Sequence, residues 1–392
     1  MRKIFIIFLL FLFVSSSLCA QLTVSGLLDS TVSFNVGAGD GQDFSMGVEE
    51  FANIRFQARR EKFAVFGAVN LLAASGDYAV NAAGFAVSKS GYPLAYTSYV
   101  AGDNYIAGIE LERLYFRLSS EYTNFDGGLM RLPFGYGQVW GSSDFLNPKN
   151  PLKPDARPRG ILSAAFSWFP VDALKFLAFC SAPRDPYSKD GGGSFAGFSL
   201  DRHWNNISIQ SLYSYETPDA GYKYGIHRIG LSIKADLFLG IILDALYTYN
   251  HEIKTAQDGL SFSLGADYSF FDGKLILLAE YLFNGETSST ALGHGGSFMN
   301  INYLYTGLTI VINDFTNFNI AIISGLDDIS FTPIINFNHD LFQGAVLTIA
   351  MQVPLDRDLL TGDGNRGELG PIHPISGIGS YFNCSARIRL RF

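Results

Sequence analysis

Apolar and polar residues alternate without a break through the last eleven residues of the chain. One parity, from Phe382 to Phe392, is entirely apolar, whereas the other parity is polar and ends with Arg387, Arg389 and Arg391. A repeat of two residues places successive side chains on opposite faces of a β-strand. The two faces of this strand therefore meet different surroundings. A strand that closes a membrane-spanning β-barrel has lipid on one face and a wet lumen on the other.

The chain ends on a bare aromatic residue, Phe392, directly after this strand. A terminal Phe in that position resembles the assembly signal of bacterial outer-membrane barrels. The resemblance implies that the C-terminal strand contacts the barrel-assembly machinery. We therefore expect Phe392 to act as an assembly signal and the chain to be an integral protein of the cell outer membrane.

The first twenty residues have the composition of a cleavable export signal. Two basic residues precede an unbroken apolar run over 4–14, and a cleavage site of small residues follows at Cys19 and Ala20. The apolar run is too short to cross a bilayer as a helix, which needs roughly 20 residues. The sequence therefore predicts a signal peptide over 1–20 and one exported domain, a transmembrane β-barrel, over 21–392.

The composition agrees with a membrane barrel. Aromatic residues make up 15% of the chain and charged residues only 16%, yet no later segment is apolar enough to be a membrane helix. A closed barrel is the one non-helical fold that satisfies every backbone group in lipid. Outer-membrane lipid is then the partner of the outer surface. A formal net charge of −8 argues against nucleic acid as a partner.

Alternating segments continue through the whole domain and are joined by two kinds of connection. Eight short connections are predicted at 59–62, 121–124, 170–172, 203–206, 234–236, 271–274, 313–317 and 338–340. Nine long connections interleave with them at 38–45, 75–106, 134–160, 185–193, 216–222, 251–258, 285–297, 325–327 and 353–375. This pattern predicts an all-β fold: a single closed antiparallel barrel of 16–18 strands, with 18 favoured, short periplasmic turns and long extracellular loops.

A barrel of this size encloses an aqueous channel, so the lumen-facing side chains decide what can pass. Strand parity places nine basic residues inside, called the basic wall below: Arg55, Arg59, Lys62, Arg113, Arg117, Arg131, Arg387, Arg389 and Arg391. Three inward acids, Asp244, Asp267 and Glu280, are predicted across the barrel. Walls of unlike charge would favour solutes of matching charge. Alternatively, the arginines pair with Asp29 and with loop acids, or lie in the periplasmic headgroup zone.

The connection over 134–160 is the most distinctive segment. Its glycines permit tight turns and its prolines stiffen extended chain, which suits a constriction loop folded into the lumen. Candidate lining residues are Tyr136, Trp140, Asp144, Asn147, Lys149, Lys153, Arg157 and Arg159. Together with the arginine-rich strand before it, the motif Gly-x-Gly-x-x-Trp-Gly-x-x-Asp-x-x-Asn-Pro resembles large porin-like outer-membrane barrels, including alginate-export-type channels. A cap over the outer rim is the alternative.

Metal and enzyme sites have little support in the sequence. Asp363, Asn365 and Glu368 form a weak calcium candidate, but their spacing does not match the twelve-residue calcium loop, so no metal and no cofactor are predicted. Gly-x-Ser-x-Gly and His-Glu-x-x-His are both missing from the sequence. The histidines are scattered at 203, 227, 251, 294, 339 and 373. We therefore expect a protein that is not an enzyme.

These features, with the porin-like resemblance, favour a channel for the passive diffusion of small hydrophilic solutes, with a possible bias toward anions. A structural or adhesive barrel whose surface loops bind a partner is the first alternative. Uptake of apolar compounds is the second, suggested by inward Ile276, Leu278, Leu282 and Phe238. The sequence names neither the solute nor the oligomeric state.

Overall fold

The computed structural model describes residues 21–37, 44–76, 97–147, 149, 160–183, 193–218, 224–251, 259–285, 300–362, 367–370 and 380–392. The predicted signal peptide over 1–20 lies outside these residues. Within them, nearly all of the regular structure is β-strand, and the one helix, α1, is a single turn over Arg357–Thr361. No helix in this part of the chain is long and apolar enough to cross a membrane.

The strands follow one another in chain order around the sheet. They are β1 (Gln21–Gly37), β2 (Phe44–Arg60), β3 (Phe63–Ser75), β4 (Thr97–Ala101), β5 (Tyr105–Ser119), β6 (Thr123–Met130), β7 (Ile161–Val171), β8 (Leu174–Ser181), β9 (Phe195–Trp204), β10 (Ile207–Glu216), β11 (Ile226–Asp236), β12 (Gly240–Tyr249), β13 (Leu260–Phe270), β14 (Leu275–Asn284), β15 (Asn302–Asn313), β16 (Thr316–Gly325), β17 (Ser330–Phe342), β18 (Ala345–Gln352) and β19 (Ser380–Arg391).

All of these strands except β4 form one closed antiparallel barrel. Each strand pairs with the next, and β3 pairs directly with β5. The last strand closes the barrel on the first, with Leu27 of β1 opposite Arg391 of β19 and Phe34 opposite Cys384. The predicted closed all-β barrel is confirmed, with the favoured 18 strands rather than 16.

The additional strand β4 lies within the second long connection and covers an open edge. β6 pairs only with the lower part of β5, from Leu114 to Ser119, because the chain leaves β6 at Met130. β4 pairs with the upper part of β5, where Val100 lies opposite Ala107. Backbone groups that would otherwise face a membrane without partners are thereby hydrogen-bonded.

The side-chain pattern of the barrel is the reverse of that in a soluble protein. On β13, Leu264 points outward and is 51% exposed, whereas its neighbour Ser263 points into the barrel and is fully buried. Leucine and phenylalanine dominate the outer face of the strands, and serine, asparagine and charged residues dominate the inner face. This arrangement fits lipid outside and polar groups inside.

Two short connections lie further along the chain than the sequence predicted. The prediction of a turn at 338–340 is wrong, because β17 continues to Phe342 and the turn is formed by Gln343 and Gly344. Gly344 has a φ of +86°, which glycine adopts without strain, so the turn forms there rather than at the preceding Asn-His-Asp run. The connection predicted at 234–236 likewise lies at 237–239.

Candidate functional site

After β6 the chain turns into the barrel. The segment 131–147, called the inward loop below, packs its apolar side chains against the inner face of the strands. The shared buried cluster includes the loop residues Leu132, Phe134, Phe145 and Leu146 and the strand residues Phe179, Phe195, Leu212 and Leu246. Burial of each large apolar side chain contributes about 1.5–3 kcal/mol, so the loop is held firmly against one wall.

Asp244, on the inner face of β12, accepts hydrogen bonds from the backbone of the inward loop. Its carboxylate receives the N–H of Tyr136 at 2.9 Å and that of Gly137 at 2.8 Å, and it is fully buried. Gly135 has a φ of +79°, and a Cβ there would come within 2.4 Å of the Asp244 carboxylate. Glycine is therefore required where the loop approaches this side chain.

Glu280, on the inner face of β14, continues the same arrangement. It accepts the N–H groups of Gln138 at 3.0 Å, Val139 at 2.9 Å and Trp140 at 3.1 Å, and it is also fully buried. Asp267 receives the side-chain amide of Gln138 at 2.9 Å. Five consecutive N–H groups of the loop, at 136–140, therefore point to two carboxylates. Charge-assisted hydrogen bonds of this kind are the strong ones.

A buried arginine supports the inward loop from behind. Arg228 on β11 is only 2% exposed and donates to Glu216 at 2.7 Å. Its guanidinium lies 5.0 Å from the ring centre of Phe145 and 5.7 Å from that of Phe195. Cation–π contacts of this kind are strongest away from water. The loop is thus attached by charge as well as by apolar packing.

A tight turn closes the described part of the loop. Asp144 accepts the N–H of Asn147 at 3.1 Å, and the Asn147 side chain accepts the N–H of Leu132 at 3.2 Å. Complete burial raises the pKa of Asp144 well above its ordinary value. Asp144 and Asn147 therefore hold the loop in shape, a role that the sequence prediction of lining residues did not assign to them.

Tyr136 and Lys149 complete the described candidates of this loop. Burial, with smaller contributions from Asp201 and Asp244, raises the pKa of Tyr136 to about 12. Lys149 is exposed and its ammonium group donates to the carbonyl of Gly137. Three predicted lining residues lie outside the described residues: Lys153, Arg157 and Arg159.

Most of the basic wall lies in the part of the barrel from β19 through β1, β2 and β3 to β5. Seven of its members lie at inward positions on strands: Arg55, Arg59, Arg113, Arg117, Arg387, Arg389 and Arg391. Arg131 is the first residue of the inward loop. Lys62 lies in the turn between β2 and β3 and is exposed, so strand parity does not determine where its side chain points.

A buried glutamate that the sequence analysis missed lies at the centre of this wall. Glu112 is 1% exposed and accepts from Arg113 at 2.9 Å, from Arg131 at 3.0 Å and from Asn53 at 2.7 Å. The register between β3 and β5 shifts beside it, which is a β-bulge. A bulge inserts one extra residue, so both Glu112 and Arg113 face the lumen. The sequence did contain one indication of this bulge, because strict alternation would place the charged side chain of Glu112 in lipid.

Two further arginines of the wall are paired through both carboxylate oxygens. Arg117 donates to Asp126 at 2.6 and 3.0 Å, and Arg389 donates to Asp29 at 2.7 Å twice. Among the described residues, neither Arg55 nor Arg59 has a carboxylate partner, and both are exposed in the lumen. The basic wall therefore combines paired arginines with open positive charge.

The described part of the last long connection around Glu368 and Leu369 also packs against inward-facing residues of the barrel. Glu368 is 6% exposed and accepts the backbone N–H of Asn300 at 3.1 Å, its side-chain amide at 3.0 Å and the hydroxyl of Tyr303. Asp363 and Asn365, the other two members of the calcium candidate, lie outside the described residues. Within the part of the chain that the structure describes, no group of three His, Cys, Asp or Glu side chains could hold a metal ion.

The C-terminal residue closes the barrel seam at the end where the short turns lie. The backbone of Phe392 exchanges two hydrogen bonds with Gly26, at 2.8 and 3.1 Å. Its ring is 66% exposed on the outer face, and a Cβ on Gly26 would come within 2.6 Å of it. The aromatic ring is therefore accessible from outside the barrel.

The fold is a closed, 18-stranded barrel with a connection folded into its lumen. Solved structures that share this fold include a BenF-like porin from Pseudomonas fluorescens Pf-5 (TM-score 0.58, 10% identity, 95% of this chain and 98% of that one). Acinetobacter baumannii OccAB4 (0.56, 8%, 95% and 98%) and Pseudomonas aeruginosa OccK8, also called OprE (0.55, 10%, 95% and 98%), are similar. No family model matches the chain, and no curated protein matches it.

Proposed function

We propose that the chain is an outer-membrane channel for the passive diffusion of small hydrophilic solutes, that it prefers anions, and that it has no enzymatic activity. One observation carries the proposal: Asp244 and Glu280 bind the inward loop to one wall of the lumen. The passage that remains lies between this loop and the basic wall. A barrel of this strand count is wide enough for an aqueous channel, and a loop inside it narrows that channel.

The anion preference rests on which charges remain open to the lumen. Asp244 and Glu280 are buried and bonded to loop amides, and Asp267 binds Gln138. Arg55 and Arg59, in contrast, are exposed and have no carboxylate partner among the described residues. Because the inward loop covers Asp244 and Glu280 while Arg55 and Arg59 are exposed, we infer that the basic wall dominates the field in the open passage. Positive charge along a narrow wet passage raises the local concentration of anions.

Reconstitution of the purified barrel into planar bilayers tests the channel itself. We expect discrete conductance steps in KCl, because a lumen with polar walls should hold a continuous column of water. Purified protein that inserts into the bilayer, as judged by protease protection, and gives no conductance steps would contradict the proposal.

Uptake of apolar compounds, the second alternative, is less well supported by the geometry. Leu282 is 4% exposed and buried beneath Trp140 in a cluster with the last long connection. Phe238 lies in a short turn and is 83% exposed. Of the four apolar residues behind this idea, only Ile276 and Leu278 remain at open lumen positions. Two residues do not make an apolar path.

Deletion of Phe392 is expected to reduce assembly while leaving export intact, since its exposed ring and its seam contacts are both lost. The measurement is the fraction of protein that shows heat-modifiable migration in detergent gels, with the periplasmic and outer-membrane pools compared. Phe392→Tyr, which keeps an aromatic ring, is the matched control and should assemble normally. Equal assembly of all three proteins would rule out a role for this ring.

A further inference from the structure

Side-chain amides and hydroxyls form a continuous hydrogen-bonded row across four neighbouring strands of the lumen. Thr309 donates to Asn319 at 2.7 Å, and Asn319 donates to Asn317 at 3.0 Å. Asn338 also donates to Asn317 at 3.0 Å, and Thr348 donates to Asn338 at 2.8 Å. We call these five residues the amide belt.

The amide belt lies at a defined place in the barrel. Its strands, β15 to β18, carry these residues near the short-turn end, below the inward loop and the last long connection. Thr348, at one end of the belt, is the register partner of Arg387 on β19. The belt therefore continues directly into the basic wall.

The belt also retains hydrogen-bonding capacity that the protein does not use. Asn317 accepts two bonds through its carbonyl oxygen, but its amide nitrogen has no partner among the described residues. Asn336, the register partner of Asn319, also faces the lumen, and the structure describes no hydrogen bond for its side chain. The four asparagines and Thr309 are half-buried, and Thr348 is buried. Each amide provides donors and an acceptor side by side.

We propose that the amide belt is a subsite for polyhydroxylated solutes, so that the channel favours anions that carry several hydroxyl groups. The inference rests on the proposed function for its anion preference. Adjacent hydroxyl groups can each donate and accept, which matches a row of amides held in register on neighbouring strands. A solute with an alkyl chain in place of the hydroxyls leaves these amides to water and gains nothing from the belt.

Gluconate and hexanoate are suitable probes, since both are six-carbon monocarboxylates and only gluconate carries hydroxyls along its chain. Saturation-transfer NMR on the detergent-solubilised barrel measures their affinities, with sorbitol as the uncharged polyol. We expect gluconate to bind more tightly than hexanoate and sorbitol to bind measurably. Asn317→Leu should weaken gluconate binding roughly tenfold, the equivalent of about 1.4 kcal/mol and of one to two hydrogen bonds, and leave hexanoate unchanged.

Asn124→Leu is the matched control, because Asn124 is a half-buried lumen asparagine near the same end of the barrel but outside the belt. It should leave both affinities unchanged. Asn336→Ala is a second variant that breaks no described hydrogen bond and should also weaken gluconate binding. Equal affinity of the wild-type barrel for gluconate and hexanoate would overturn the subsite. Conductance is recorded on the same preparation to tell this failure from a failure of the proposed channel. If the channel proposal is wrong, the conductance steps are absent but the preference for gluconate in the NMR measurement remains.

Discussion

Replacing Asp244 by Asn together with Glu280 by Gln is expected to release the inward loop and raise the single-channel conductance. The two carboxylates accept five consecutive backbone N–H groups of the loop, at 136–140. An amide side chain presents an NH2 group in place of one acceptor oxygen, so several of these bonds are lost. Each hydrogen bond to a charged group contributes about 1.5–3 kcal/mol. Planar-bilayer recording measures the conductance.

Asp267→Asn is the control for this double variant. Asp267 also faces the lumen, but it binds only the exposed side chain of Gln138 and not the loop backbone. The Asp267→Asn substitution removes one negative charge from the same wall, and it should leave the conductance close to the wild-type value. The loop of the double variant should also become more sensitive to added protease. If the double variant folds and keeps the wild-type conductance, the loop does not limit the passage.

Replacing Arg55 and Arg59 by Gln is expected to shift the channel from anion preference toward cation preference. These two guanidinium groups are exposed in the lumen and have no carboxylate partner among the described residues. Their removal therefore subtracts open positive charge without leaving a buried acid unpaired. Reversal potentials in a KCl gradient give the change in selectivity. Lumen substitutions of this kind alter selectivity and spare the lipid-facing surface.

The matched control for this variant removes both charges of an ion pair, Arg117 and Asp126. Arg117→Gln with Asp126→Asn removes two charges that already compensate each other through two hydrogen bonds, at 2.6 and 3.0 Å. The reversal potential of this variant should stay near that of the wild type. If the control shifts selectivity as much as Arg55→Gln with Arg59→Gln does, paired and open arginines contribute alike and the distinction drawn between them is wrong.

Strand parity was readable from the sequence because lipid and water impose opposite requirements on neighbouring residues. The arginines at 387, 389 and 391 alternate with apolar residues without interruption. In the structure, Arg389 pairs with Asp29 across the seam between the last strand and the first. The strand count followed from the alternation of short and long connections. A pattern of this kind depends only on local chemistry, which one sequence contains in full.

Parity fails where the backbone gains a residue. Glu112 directly precedes the lumen-facing Arg113, so strict alternation with Arg113 and Arg117 places it in lipid. The bulge beside it turns it inward, where it compensates Arg113 and Arg131. A bulge has no fixed sequence signature. Its one trace is a residue that strict alternation would place on the wrong face of the strand. A charged residue on a lipid-facing parity is therefore evidence for a bulge.

The hydrogen-bond partners of Asp244 and Glu280 could not be predicted from the sequence for a different reason. Both acids were predicted to face the lumen, and the structure places them on the inner face of β12 and β14, beneath the inward loop. Their hydrogen-bond partners, however, are backbone N–H groups more than a hundred residues away in the chain. Every residue except proline has such a group, so no side-chain pattern identifies the ones that bind. The same holds for β4, whose partner edge is open only because β6 ends at Met130.

The reversal potential of the wild-type channel across a KCl gradient tests the central claim most directly. Near 0.1 M salt, screening acts over about 10 Å, and open arginines should give a reversal potential with the sign of anion preference. At 1 M salt the screening length falls to about 3 Å, and the preference should weaken. A wild-type channel that is cation-selective or unselective at the lower salt concentration would contradict the account.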